Sequence, residues 1–161
     1  MDSIFTLLII CFIIFLPALL IVLIAFLAAK GRKKKQNALL STVPSNADFS
    51  ATVRYNRGKQ QDKFLKLKAF EGSGVVYATT EEIVFKSTKG FTHTFDLRNC
   101  QIRWEGENLV NGLLKWFSVE DAQEKIFMNV ETGVFIFHTG GDKPTTRSIY
   151  EQLAMKQVSL K

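Results

Sequence analysis

The sequence contains few cysteines and histidines, and this shortage excludes several kinds of site. Its two cysteines are Cys11, within a long apolar segment, and Cys100, in the more polar remainder, so they cannot pair within one folded chain. The two histidines, His93 and His138, lie in different strand-like runs. A disulfide framework needs paired cysteines, and a structural zinc site needs clustered cysteine and histidine ligands. We therefore expect no disulfide, no bound metal and no cofactor.

Charge is almost absent from the start of the chain. Residues 4–29 contain no charged side chain, and Asp2 is the only charged residue before them. At ~1.5 Å per residue this segment forms ~39 Å of helix, whereas the hydrocarbon core of a bilayer is ~30 Å thick. A helix buried in a soluble core would carry polar residues at helical spacing, and this segment does not. Residues 4–29 are therefore predicted to form a transmembrane helix.

A cleaved signal peptide is the alternative interpretation, but it requires positive charge before a shorter apolar stretch. Here the positive charges follow the segment, at Lys30, Arg32, Lys33, Lys34 and Lys35. Lysine and arginine accumulate on the cytoplasmic side of membrane spans. We therefore expect a single-pass membrane protein with its N-terminus outside and its C-terminal domain in the cytoplasm.

The formal net charge of +6 comes mainly from this basic segment. Without residues 30–35 and Asp2, the chain has 16 lysines and arginines against 14 aspartates and glutamates. A nucleic-acid-binding domain needs a basic face. The distribution of charge therefore predicts no nucleic-acid partner.

The rest of the chain is expected to form a linker and one domain. Residues 30–48 are interpreted as a basic juxtamembrane segment and a linker, which is flexible from residue 36 except at Pro44 and reaches ~20 Å. Residues 49–161 are interpreted as a cytoplasmic domain that is mainly β, because short β-rich runs alternate with turn residues. Strands are expected at residues 50–56, 64–70, 74–79, 83–87, 92–97, 101–105, 113–119, 125–130 and 134–138.

The end of the chain has a different pattern. A C-terminal helix is predicted at about residues 143–157, with Asp142 or Thr145 as its N-cap. Ile149, Tyr150 and Leu153 form one apolar stripe at helical spacing. A helix of this kind can close the open end of a small antiparallel sheet or barrel.

This order of elements resembles the pleckstrin-homology-like (PH-like) fold, in its GRAM or bacterial variants. The most specific stretch, residues 74–85, resembles the hairpin of those domains in which the second strand ends in phenylalanine, here Phe85. Residues 94–98 resemble the following strand, and residues 149–153 the closing helix. The resemblance covers about residues 60–157 and implies an antiparallel PH-like barrel or sandwich. Nine runs exceed the seven strands of that family, so either the first ones are accessory or this is another small antiparallel barrel.

The resemblance also implies where a lipid would bind. Family members that bind phosphoinositides use basic residues on the first strand and the first hairpin loop, and the basic residues between Arg54 and Lys68 lie in that region. The uncharged strand that follows lacks the basic residue that would complete a headgroup pocket. Alternating lysines on a strand also fit a solvated face. The residues expected to contact the membrane surface, and with it anionic lipid headgroups, are Lys33, Lys34, Lys35, Lys63, Lys66 and Lys68.

Two runs carry large apolar side chains on both faces, which a half-solvated antiparallel sheet does not need. Trp116 and Phe117 lie in one run, and Phe135 and Phe137 in the other. Either the C-terminal helix and residues 49–56 cover the second face, or these four residues form an exposed surface for a protein partner or for a homo-oligomer.

Catalytic residues are not evident. His93, Asp96 and Cys100 could be imagined as a catalytic group, but their spacing along strands does not bring them together. We therefore expect a non-enzymatic, membrane-tethered binding module that recruits a partner or self-associates at the inner leaflet. The alternative is a PH- or GRAM-like domain that senses a lipid or a small ligand.

Overall fold

Two helices and seven strands make up the described part of the chain. The computed structural model describes residues 2–59, 70–108, 114–131 and 144–160. Helix α1 is Asp2–Leu40 and helix α2 is Thr146–Ser159. The strands are β1 (Phe49–Arg57), β2 (Gly72–Ala78), β3 (Glu82–Ser87), β4 (Thr92–Asp96), β5 (Gln101–Asn108), β6 (Leu114–Glu120) and β7 (Lys125–Val130).

Helix α1 extends well beyond its apolar part. Among the described residues it is the one helix long and apolar enough to cross a membrane. The helix continues through the basic segment to Leu40, because lysine, arginine, glutamine, alanine and leucine all favour helix. The flexible linker expected from residue 36 is therefore helical over its first five residues. Pro44 follows soon after, at a position where a proline commonly marks the end of a helix.

The strands form one antiparallel sheet in the order β4-β3-β2-β1-β7-β6-β5, curled into a half-barrel. Because β1 pairs with both β2 and β7, the first and last of the described strands are neighbours near the centre of the sheet. Seven expected runs correspond to these strands, and the runs at 64–70 and 134–138 fall outside the described residues except for Phe70. The expected fold class, an N-terminal apolar helix and an antiparallel β domain closed by a C-terminal helix, is confirmed.

The core lies on the concave face of the sheet. Alternate residues of β1 (Ala51, Val53 and Tyr55) point into it, as the two-residue period of a strand requires. Helix α2 adds Ile149 and Leu153, both almost fully buried. The larger aromatic side chains of the same cluster are Phe85, Phe95 and Phe117. The interior of the half-barrel is thus filled by side chains packed against α2.

Helix α2 is held at both of its ends. Thr145 is the N-cap, one of the two residues expected there: its hydroxyl accepts a hydrogen bond from Ser148 N–H at 3.1 Å, and the Ser148 hydroxyl accepts one from Thr145 N–H at 2.8 Å. Near the other end, Gln157 Nε2 donates to the carbonyl oxygens of Leu97 and Cys100, each at 2.8 Å. The helix therefore ties the connection between β4 and β5, the two edge strands.

Candidate functional site at the helix–sheet junction

The last three turns of α1 dock on the convex face of the sheet. Ala29, Arg32, Gln36 and Leu39 recur every three or four residues and therefore lie on one side of the helix. Ala29 and Gln36 are 7% and 3% exposed. These four residues form a stripe that faces the sheet. The stripe is not obvious in the sequence because basic residues lie between its members.

The end of α1 and the residues that follow it supply the apolar half of this junction. Leu39, Leu40, Val43 and Ala47 pack against a second cluster of buried residues, Val75 and Tyr77 of β2 and Val84 of β3. These three side chains point away from the main core because their neighbours Val76, Ala78, Ile83 and Phe85 point into it. The apolar residues on the convex face of β2 and β3 are thus covered by the end of α1 and the residues after it.

The polar half of the junction centres on Glu131, which directly follows β7. Its Oε1 accepts hydrogen bonds from Arg32 Nε at 3.1 Å and from Arg54 Nε and Nη2 at 3.2 and 3.0 Å. Its Oε2 accepts one from Gln36 Nε2 at 2.8 Å. One carboxylate thus joins α1 (Arg32, Gln36) to β1 (Arg54), and we call these four residues the Glu131 cluster.

The fold positions this cluster through the pairing of β1 with β7. Val53 lies opposite Val130, and Glu131 N–H donates to Thr52 C=O at 2.9 Å. Arg54 therefore faces the convex side beside Glu131, and its guanidinium also lies over the Phe70 ring, 4.7 Å from the ring centre. The Glu131 and Arg54 side chains are only 8% and 6% exposed. Charges buried to this extent need their partners, since removing one leaves an uncompensated charge in a poorly solvated place.

The basic residues of α1 divide between two environments. Arg32, whose side chain is 30% exposed, is the one drawn to Glu131. Lys30, Lys33, Lys34 and Lys35 are exposed. Lys33, Lys34 and Lys35, predicted to contact the membrane surface, are thus accessible on α1. The other three residues of that prediction, Lys63, Lys66 and Lys68, lie outside the described part of the chain.

The predicted apolar partner surface is wrong for Trp116 and Phe117. Both side chains are fully buried, and Phe117 packs in the main core with Leu153 of α2. Of the cover expected over this run, α2 packs on the face that carries Phe117, whereas residues 49–56 form β1 of the same sheet and so do not cover it. Phe135 and Phe137, the other two residues of that prediction, lie outside the described residues.

The remaining basic residue of β1 that faces solvent, Arg57, is already paired. Its Nη2 lies 2.5 Å from Glu124 Oε2, and its guanidinium stacks on the Phe91 ring at 4.0 Å. The hydrogen bond to Glu124 raises the pKa of Arg57 above its usual value, although partial burial opposes this. A phosphate binding at Arg57 would have to compete with Glu124.

The polar side chains considered for catalysis have separate, structural partners. His93 Nε2 lies 2.8 Å from Asp121 Oδ2, whereas the carboxylate of Asp96 accepts from Arg98 N–H and from the Asn99 side chain. Burial disfavours ionisation of Asp121, but hydrogen bonds from His93 and from the backbone N–H groups of Gln123 and Glu124 outweigh it and hold its pKa below the usual value. Among the residues that the structure describes, no group of His, Cys, Asp and Glu could hold a metal ion.

The Glu131 cluster is not evident from the sequence. A signal for its helical half exists, since Arg32 and Gln36 are four residues apart and continue the spacing from Ala29 to Leu39. Glu131 itself follows a strand and looks like an ordinary turn residue. The sequence matches no protein-family model, and no curated protein is significantly similar to it. The candidate site therefore depends on its geometry.

Proposed function

We propose that this protein is a single-pass membrane protein whose cytoplasmic domain is a PH-like, non-enzymatic binding module held directly against the inner leaflet. The observation that carries this proposal is the continuity of α1. The apolar segment runs without a break into the turns that contact the sheet through Glu131 and through Leu39 and Leu40.

The position of the first polar contact supports a module at the headgroup level. Arg32 lies three residues after Ala29, the last residue of the apolar run, so the helix advances only ~5 Å between the two. A flexible linker would let the domain sample a radius of ~20 Å. Docking replaces this freedom by one orientation, and a preorganised surface loses less entropy when a partner binds.

The order of elements supports a PH-like domain, since seven antiparallel strands with β1 beside β7 and a closing C-terminal helix are compatible with that fold. A fold alone does not assign an activity. The concave side is occupied by buried residues such as Phe85, Phe117 and Met128, so a ligand there would have to displace core side chains. We therefore place binding on the outer surface of the domain and along α1.

The proposal is tested by comparing the full chain with α1 alone. Both are fused to the same proximity-labelling enzyme at the C-terminus and expressed at matched levels in the same membrane. In parallel, donor- and acceptor-labelled chains are mixed in vesicles at increasing lipid dilution to measure self-association by energy transfer. We expect residues 41–161 to add specific neighbours or dilution-resistant energy transfer. If the full chain and α1 alone give the same labelled proteins and the same energy transfer, the binding-module proposal fails.

A further inference from the structure

A basic groove lies on the side of α1 turned away from the sheet. It has a volume of about 530 Å³ and is lined by Leu27, Lys30, Gly31, Lys33, Lys34 and Asn37. The groove is largely open to solvent, and at Gly31 an added Cβ would meet nothing within 4 Å. The lining residues have spacings of three and four, so the groove follows the helix axis over almost three turns, at ~3.6 residues per turn.

The charge of the groove is of one sign. Three of its six lining residues are lysines, and none is acidic. Docking on the sheet directs Arg32 to Glu131 and leaves Lys30, Lys33 and Lys34 on the exposed side. Two guanidinium groups already share the Glu131 carboxylate, so this acid does not compensate the lysines. An anion is therefore the complementary occupant.

The groove is apolar at one end and basic over the rest of its length. Leu27 belongs to the uncharged run that ends at Ala29, whereas Lys30 is the first charged residue after it. In a membrane-inserted helix this boundary lies where hydrocarbon meets headgroups. An occupant that is apolar at one end and anionic at the other fits both ends.

We propose that the groove binds the headgroup of one anionic phospholipid, an inference that rests on the membrane insertion proposed above. Lys30, Lys33 and Lys34 contact the phosphate and the headgroup's additional negative charge, Asn37 offers its amide, and Leu27 contacts the glycerol and the first acyl carbons. A lipid bound there fixes the rotation of α1 about its own axis.

The test is native mass spectrometry of the full chain released from nanodiscs that contain phosphatidylcholine and phosphatidylserine. We expect one retained phosphatidylserine per chain. The triple variant Lys30→Gln, Lys33→Gln, Lys34→Gln should retain at least about tenfold less, since each lysine near an anionic surface contributes a several-fold effect. A matched control, Lys59→Gln, Lys89→Gln, Lys115→Gln, removes the same charge from exposed positions outside the groove and should retain phosphatidylserine as the parent does.

A second variant separates a formed groove from general attraction between charges. Gly31→Leu places a side chain in the groove without changing the charge, and leucine is a good helix former. It should lower phosphatidylserine retention severalfold. Glycerophosphoserine added in excess, which carries the headgroup without acyl chains, should not displace the lipid, whereas a site for free phosphate would lose it.

Two results would overturn the proposal: equal retention by the parent and the triple variant, or an equal loss in the triple variant and its distant control. The second would mean that the lysines act only through the overall charge. Incorporation of every variant into nanodiscs is scored separately. A parent chain that inserts normally but retains no phosphatidylserine therefore refutes the groove and leaves the proposed membrane-anchored module unaffected, whereas a parent chain that does not insert refutes both.

Discussion

At the scale of single residues, Glu131 differs from the other acidic side chains that the structure describes in its burial and in the number of its partners. Both of its oxygens are engaged, by two guanidinium groups and one amide, and its side chain is 8% exposed. Glu107, in contrast, pairs with Lys115 at 3.1 Å while both side chains are half exposed. A surface pair of that kind contributes ~1 kcal/mol or less. The two glutamates therefore form a matched pair for mutation.

Glu131→Ala should destabilise the β domain of the full chain in detergent by ~3 kcal/mol, the lower end of the range for breaking a buried pair, because Arg32 remains partly solvated. Urea unfolding followed by tryptophan fluorescence measures this, since Trp104 and Trp116 both lie in the sheet. Glu107→Ala is the control and should change the free energy of unfolding by less than ~1 kcal/mol. Equal effects of the two substitutions would mean that the junction adds nothing to stability.

Asp121 should make the stability of the domain depend on pH in acid. Hydrogen bonds outweigh burial and hold its folded-state pKa below the usual value of 3.8. A carboxyl group of this kind stabilises the fold above its unfolded-state pKa, and the stabilisation is lost as the pH falls through the folded-state pKa. Asp121→Asn should therefore lower the melting temperature at pH 6 and lower it less at an acid pH below 3.8. A difference of the same size at both pH values would contradict this origin.

At the scale of elements, α2 acts as the closing element of the half-barrel. It packs on β5, β6 and β7, and Gln157 bonds the connection between β4 and β5. Its buried residues Ile149 and Leu153 join the main core, whereas Met155 is 65% exposed. The helix therefore offers a buried and an exposed apolar position two residues apart.

Leu153→Ala should lower the free energy of unfolding by ~2–5 kcal/mol, the usual range when a buried leucine leaves a cavity. Met155→Ala on the same helix should change it by no more than ~0.5 kcal/mol, as is normal for surface positions. Chemical denaturation of the full chain in detergent measures both. An effect below ~0.5 kcal/mol for Leu153→Ala would mean that α2 is not docked in solution.

At the scale of the whole molecule, the docked helix determines what a soluble fragment must contain. A fragment that begins at residue 46 would uncover Val75, Tyr77 and Val84 and would leave Glu131 without Arg32 and Gln36. A fragment that begins at Ala29 keeps both halves of the junction. Studies of the isolated domain should therefore include the last turns of α1.

The proposed membrane orientation rests on the asymmetry of the charges around the apolar segment. Five positive charges lie within residues 30–35, whereas Asp2 is the only charge before the apolar run. A reporter fused after Lys161 should therefore be active in the cytoplasm and inactive outside the cell. Replacing the five basic residues with glutamine and adding lysines after Met1 reverses the charge asymmetry. The reporter should then be active outside the cell and inactive in the cytoplasm. Activity of the unmodified fusion on the outer side would refute the proposed localisation.

The sequence by itself determined the features that depend on neighbouring residues. The uncharged run of residues 4–29 predicts a long apolar helix, period-two alternation predicts the described strands, and the spacing of Ile149 and Leu153 with Thr145 before them predicts the capped closing helix. Each is a local pattern, and helices and strands form where the local period matches their geometry. The exposure of Lys33, Lys34 and Lys35 belongs to the same class, because long charged side chains are seldom buried.

The junction between α1 and the sheet, and the burial of Trp116, are visible only in the tertiary structure. Glu131 lies 77 positions from Arg54 and 99 from Arg32, and no local period relates residues so far apart. They meet because β1 pairs with β7 and because α1 continues past its basic residues onto β2. Trp116 and Phe117 are adjacent on β6 and therefore point to opposite faces of the sheet, yet both are fully buried, which the strand's own sequence does not show. Such contacts depend on which surfaces pack together. The residues next to Glu131 in the sequence therefore do not show which side chains its carboxylate contacts.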